Sequence, residues 1–301
     1  MRTRTLYRWI LTLLVFAGVT YLVLRSMNEI RSFRFDFKWS FLIAALVLEL
    51  TAYLCRFRIW LGITSEMDIR IPVKESARCF FLSTLGKYVP GNLGLLLVRM
   101  EAYSRYPRRH IAVATIIEYI ASIAAAALLV VIGLASAPVA LPGWVRIASG
   151  AIGVLLILAL NDRFLLKPLN ALLQLAGRQS IERLPSWRSQ SGFVLAQMFV
   201  GLLQGMAMLM VIRSLHPLDF RYFLAVTGAY YAAGLIGLAV VFAPSGIGVR
   251  EGVLMLVLPS IIPRPIAIVS AVLMRLVATA GEVVLAGTFS LRGRRNRDRP
   301  G

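Results

Sequence analysis

The sequence predicts an all-α integral membrane protein of about eight transmembrane helices. One or two further segments, broken by Pro and Gly, are expected to re-enter the membrane, and the two halves hint at an internal pseudo-symmetry. Three observations lead there. The chain of 301 residues is 58% hydrophobic and only 16% charged, with a mean hydropathy of +0.76, whereas a soluble domain is about 45–50% apolar and about a quarter charged. The apolar residues gather in runs near the ~20 residues needed to cross a bilayer. Between the runs lie short basic loops, and no stretch is long enough for a separate catalytic domain of ~100 residues.

Taken in order, the first run is Leu6 to Leu24, after Arg2 and Arg4 and ahead of Arg25. It is too long for a signal-peptide core and has no small-residue cleavage position, so it reads as a retained span. The second span is Trp39 to Ile63. An apolar stretch from Cys79 to Met100 follows, broken in its middle by Val89-Pro90-Gly91-Asn92-Leu93-Gly94. Spans are then expected at Ile111–Ala135 and Trp144–Leu160. Between Asp162 and Ala176, leucines at helical spacing alternate with Arg163, Lys167, Asn170 and Gln174, the pattern of a helix lying on the membrane surface. Further spans are Phe193–Ile212 and Phe223–Phe242, then a shorter run Ile247–Ile262, and last Ile266–Leu291. Residues 1–291 thus form one polytopic domain, and 292–301 a basic tail.

Lys+Arg number 33 against 14 Asp+Glu, a net charge of +19. In a soluble protein this would suggest nucleic acid; here the charge belongs to loops facing anionic headgroups, and no nucleic-acid partner is expected. If Cys79–Met100 dips in and returns while Ile247–Ile262 crosses, eight spans place 20 Lys/Arg on the side of both termini and 8 on the other. Both termini are then cytoplasmic by the positive-inside rule. If Ile247–Ile262 re-enters as well, seven spans leave the arginine-rich tail outside. Cys55, Cys79, His110 and His216 have neither disulfide-framework nor metal-ligand spacing, so no metal or cofactor is expected.

The two breaks share the pattern P-x-x-[L/I]-G: Pro90-Gly91-Asn92-Leu93-Gly94 and Pro244-Ser245-Gly246-Ile247-Gly248. Each precedes an arginine and a glutamate, Arg99 and Glu101 in the first case, Arg250 and Glu251 in the second. A helix interrupted at membrane depth survives only where protein or a wet cavity satisfies the freed backbone groups. Paired breaks in the two halves of a membrane chain are the best sequence pointer to a transport site. The broken-helix residues singled out are therefore Pro90, Gly91, Gly94, Pro244, Gly246 and Gly248. Glu49, Lys87, Glu118, Arg250, Glu251, Arg275 and Glu282 also fall inside apolar segments. An unpaired charge at the bilayer centre costs at least ~2.5–3.5 kcal/mol, so these groups should pair or line a polar cavity. Glu49 and Arg56 are two turns apart, as are Arg275 and Glu282, too far for ion pairs within one helix; each is expected to meet another helix. Gly201 and Gly205 form a GxxxG expected to serve internal packing. No Ser/His or Cys/His constellation marks an enzyme.

Leu85-Gly86-Lys87-Tyr88-Val89-Pro90-Gly91-Asn92-Leu93-Gly94 and Pro244-Ser245-Gly246-Ile247-Gly248-Val249-Arg250-Glu251-Gly252 resemble the two signatures of the lysylphosphatidylglycerol synthase transmembrane-region family. The resemblance covers about Leu6 to Leu291. It implies a protein of the bacterial inner membrane that moves lipids between leaflets. The family's lipid-gating basic and acidic groups map to Arg250 and Glu251, with Arg275 and Glu282 on the next helix. The aminoacyl-transferase domain of the full synthase has no counterpart after the last span, so lysyl transfer is not expected. The expected function is a flippase-like translocation of a phospholipid or polyprenyl-linked glycolipid, with headgroup contacts from Arg250, Glu251, Arg275, Glu282, Lys87, Arg99, Glu101, Glu118, Arg56 and Glu49. The competing readings are an embedded accessory subunit of a lipid- or glycan-modifying enzyme and a small-solute transporter. A homo-oligomer or a lipid-modifying enzyme is a conceivable partner.

Overall fold

The computed structural model describes residues 33, 35, 37–88, 94–136, 147, 151, 155, 185–240 and 244–295. The expected spans Leu6–Leu24 and Trp144–Leu160, the surface helix Asp162–Ala176, Pro90 and Gly91, and the end of the tail lie outside the described residues.

Within them the chain is helical and has no strand. The α-helices are α1 (Trp39–Glu66), α2 (Val73–Thr84), α3 (Gly94–Ala102), α4 (Arg108–Ser136), α5 (Trp187–Arg213), α6 (Phe223–Ala239), α7 (Val249–Val257) and α8 (Arg264–Arg295). Five segments have the length and hydropathy to span: Trp39–Glu66, Arg108–Ser136, Trp187–Arg213, Phe220–Ala239 and Arg264–Ser290. Their 28, 29, 27, 20 and 27 residues correspond to about 30–44 Å of helix, enough for a ~30 Å hydrocarbon core.

The run Ile247–Ile262 contains the nine-residue α7 and a 3₁₀ turn, Leu258–Ser260, together about 20 Å long, and it is not among the five segments with the length to span as one helix. Both breaks are thus followed by a nine-residue helix, α3 and α7.

The core is apolar, but the outer surface is apolar as well and a few charges lie inside. Trp39, Ile43, Val47 and Leu54 form an exposed apolar stripe along α1, while Glu49 and Arg99 are buried in the interior. Lipid acts as solvent for such a stripe, and the charges must find partners inside. α5 lies at the centre, packed against α1, α4, α6 and α8. Ser186 caps its start, accepting from Ser189 N at 3.2 Å.

Small residues let the helices approach. Gly201 faces Leu129 and Tyr231, and Gly205 faces Thr227, so the GxxxG of α5 packs internally against α4 and α6, as expected. Gly133 on α4 and Gly228 on α6 meet backbone to backbone, leaving no room for a Cβ on either. Gly133→Val should force these helices apart and cost about 1–3 kcal/mol, the range for overpacking. The expected outcome is a lower unfolding midpoint in detergent; an unchanged midpoint would show that the two helices separate freely.

Candidate functional site

The turn that leads into the first break meets the second break inside the bundle. After α2 the chain tightens into a 3₁₀ turn, Leu85–Tyr88, which packs against the second turn, Pro244–Gly246, and against α8. The second break has a local cause in sequence. Ser245, Gly246 and Gly248 take φ of 54°, 65° and 85°, the left-handed region that glycine enters readily and that stops an α-helix. Glu251 then reaches back so that its Oε2 accepts from Gly248 N at 2.7 Å, satisfying one of the free amides at the start of α7.

A cavity of about 260 Å³ opens beside the two turns. Its walls carry five cationic side chains, Arg56, Lys87, Arg99, Arg250 and Arg275, against two carboxylates, Glu118 and Glu251. Tyrosines 53, 88, 119, 230 and 231 supply hydroxyls and ring faces between apolar residues such as Leu95, Leu235 and Met274.

Three charge clusters hold the walls. Lys87, from the first break, pairs with Glu282 on α8. The same carboxylate accepts from Tyr53 Oη at 2.5 Å and Tyr88 Oη at 3.0 Å, and Tyr88 also meets Thr279 Oγ1 at 3.2 Å. Arg99 on α3 pairs with Glu118 on α4, donates from Nε to Ser83 Oγ at 3.1 Å, and lies over the rings of Trp60 and Phe80 at 4.5 and 4.8 Å. Glu251 on α7 faces Arg275 on α8, with Oε1 3.8 Å from Nε. Each nine-residue helix is thus fastened to the long helix after it, with the charges in opposite order. Arg275 and Glu282, two turns apart on α8, each meet a partner on another element, Glu251 on α7 and Lys87 in the first 3₁₀ turn.

Arg250 is different. Among the described residues it forms no ion pair; its guanidinium lies 5.4 Å from the Tyr230 ring centre. Its methylenes run over Gly237 and Gly246, where a Cβ would stand 2.5 and 3.0 Å from Arg250 Cγ. Arg56 Nε and Arg275 Nη2 are buried without a hydrogen-bond partner. The cavity therefore holds cationic donors that its own carboxylates leave unsatisfied, a chemistry suited to an oxyanion.

Of the other residues named from sequence, Gly94 begins α3, with its carbonyl beside Gly86. Glu282 and Glu49 stand behind the cavity wall, and Glu49 Oε2 accepts from Gln204 Nε2 at 3.0 Å. Glu101 stands apart: it is exposed and faces Arg108 Nη2 at 3.6 Å on the surface. Two residues along the helix from Arg99, it points away from the cavity, because neighbours one or two apart do not share a helix face. Sequence reasoning missed the tyrosines and Gln204. Their signal was polar side chains inside apolar spans, above all Gln190, Gln197 and Gln204 at seven-residue spacing on α5, all buried.

Spanning helices around an internal, cation-rich cavity at two helix breaks define a multi-pass membrane protein with a polar site at membrane depth. Residues 9–286 match the family described as the lysylphosphatidylglycerol synthase TM region, and the chain belongs to that family. No curated protein matches it at the significance required.

Proposed function

We propose that this protein is a lipid translocase that moves a phospholipid or polyprenyl-linked glycolipid between leaflets through the cavity between the two breaks. The observation that carries the reading is the excess of cationic over anionic side chains in a cavity inside spanning helices, with Arg250 outside any ion pair among the described residues. A lipid phosphate matches that excess, since guanidinium binds its oxygens in paired hydrogen bonds. At about 260 Å³ the cavity is smaller than the ~300–1,000 Å³ that encloses a drug-sized ligand. It suits a headgroup whose acyl chains stay in the bilayer. Glu118, Glu251 and Glu282 orient the cations around that headgroup. In this reading the chain performs no covalent chemistry and lies in a bacterial inner membrane.

The test is reconstitution in liposomes with headgroup-labelled anionic, aminoacylated and polyprenyl-linked lipids, followed by an impermeant quencher. The expected result is extra quenching of one lipid class relative to protein-free vesicles. If no lipid becomes exposed while a control scramblase works in the same vesicles, translocation by this chain alone is refuted and an accessory role takes its place.

A further inference from the structure

Four carboxylates are buried in the bundle among the described residues: Glu49, Glu118, Glu251 and Glu282. Three have a cation, namely Arg99 for Glu118, Arg275 for Glu251 and Lys87 for Glu282. Glu49 does not. It is fully buried on α1, its Oε2 accepts from the neutral amide of Gln204, and its Oε1 has no hydrogen-bond partner. A carboxylate so placed inside a membrane protein is costly as an anion and cheap as the neutral acid. Gln204 Oε1 in turn accepts from Tyr231 Oη at 2.7 Å, and both Gln204 and Tyr231 face the cavity. The chain Glu49–Gln204–Tyr231 thus joins the lone acid to the polar interior.

We infer that Glu49 is a proton-binding site beside the cavity, its carboxyl held there by Gln204 and Tyr231, and that its protonation is linked to the presence of an anion in the cavity. The second half rests on the translocation reading; the first does not. The step is a protonation only: a proton from cavity water adds to the Glu49 carboxylate, converting it to carboxylic acid, and returns to water on release.

The linkage follows from the surrounding charges. Glu49 is influenced by Glu282 from α8, Lys87 from the first break, and Arg56 on its own helix. Tyr53 on α1 and Tyr230 and Tyr231 on α6 adjoin it, and Arg250 on α7 lies over Tyr230. From α4 the cavity wall contributes Glu118, which Arg99 holds. Tyr53 lies one turn from Glu49 and donates to Glu282, and the charge of Glu282 acts on Glu49. Lys87 is 27% exposed and lines the cavity, where an anion competes with Glu282 for it. Drawing Lys87 away leaves Glu282 less neutralised, and two neighbouring carboxylates resist being ionised together. Glu49 then takes a proton more readily. By reciprocity a proton on Glu49 favours the anion, so anion binding tightens as pH falls and slackens as pH rises through the titration of Glu49.

The test uses infrared difference spectra of the purified full chain across pH, with and without short-chain phosphatidylglycerol as the probe. In wild type a protonated-carboxyl band should fade as pH rises, and the probe should move its loss to higher pH. Glu49→Gln should lack the band and bind the probe with an affinity that no longer weakens with pH, against a several-fold weakening in wild type. Glu49→Asp, which keeps a carboxyl, should retain a band at an altered position, showing that loss of the band does not merely report misfolding. The proton site is overturned if no band titrates or if the band survives in Glu49→Gln. If Glu49 titrates and lipid moves in the vesicle assay, but the probe shifts nothing, the linkage is overturned. If Glu49 titrates and no lipid moves, the proton site stands and the translocation reading falls.

Discussion

Arg250→Ala should leave a folded protein whose lipid exposure in reconstituted vesicles falls to that of protein-free vesicles. The expectation has two halves. On the structural side, Arg250 holds no carboxylate in place among the described residues. Its loss removes a contact with the Tyr230 ring and a methylene chain laid over Gly237 and Gly246. A cation–π contact is worth about 0.5–2 kcal/mol, a modest loss for a bundle held by five long helices. On the functional side, Arg250 is the guanidinium most available to a phosphate, and alanine offers neither charge nor donors. Arg250→Lys restores a charge without the planar fork and should recover part of the activity. Size-exclusion profiles and thermal midpoints, taken alongside the quenching assay, separate the halves. A variant that no longer folds would make Arg250 structural, and a variant with unchanged transport would remove it from the site.

Arg99→Met and Glu118→Gln should behave in the opposite way, each destabilising the protein by about 3–5 kcal/mol, the range for leaving one member of a buried ion pair alone. Arg99 is 1% exposed, enclosed by Trp60 and Phe80, and tied to Ser83 as well as Glu118. The pair is nearly closed to solvent, with its side chains 2% and 7% exposed. The double substitution Arg99→Met with Glu118→Gln should cost clearly less than the sum of the singles, because no charge is then left unpaired. Thermal unfolding of the four proteins measures the coupling. Strict additivity would mean that the two side chains do not stabilise each other.

These contrasting arginines show where the sequence stops being informative. Arg99 and Arg250 both follow a break of the same pattern, and each precedes a glutamate in the chain. In the structure Arg99 is sealed into a pair with Glu118, whereas Arg250 forms no ion pair among the described residues and its neighbour Glu251 goes to Arg275. Adjacent residues on a helix point in different directions, so chain proximity of Arg and Glu said nothing about who pairs with whom. Glu101 shows the same limit, since its position beside the break put it among the candidates while its helix face turned it to the surface.

The all-helical membrane class, four of the five described spans to within a few residues, the two breaks and the intramembrane charges were legible without coordinates. Each rests on a property of a short window: hydropathy over ~20 residues, glycine and proline within five, a charge within an apolar run. Even the brevity of the run after the second break was visible as a short window, although the nine-residue length of its helix came only from the structure. Tertiary structure alone decided that Lys87 reaches Glu282 across 195 positions, that tyrosines on α1 and in the first break share that carboxylate, and that Glu49 is left without a cation. The physical reason is range. Lipid solvation and backbone geometry act locally and leave periodic marks in sequence, whereas a buried charge is satisfied by whichever partner the packed helices bring within a few ångströms, and no local pattern records that choice.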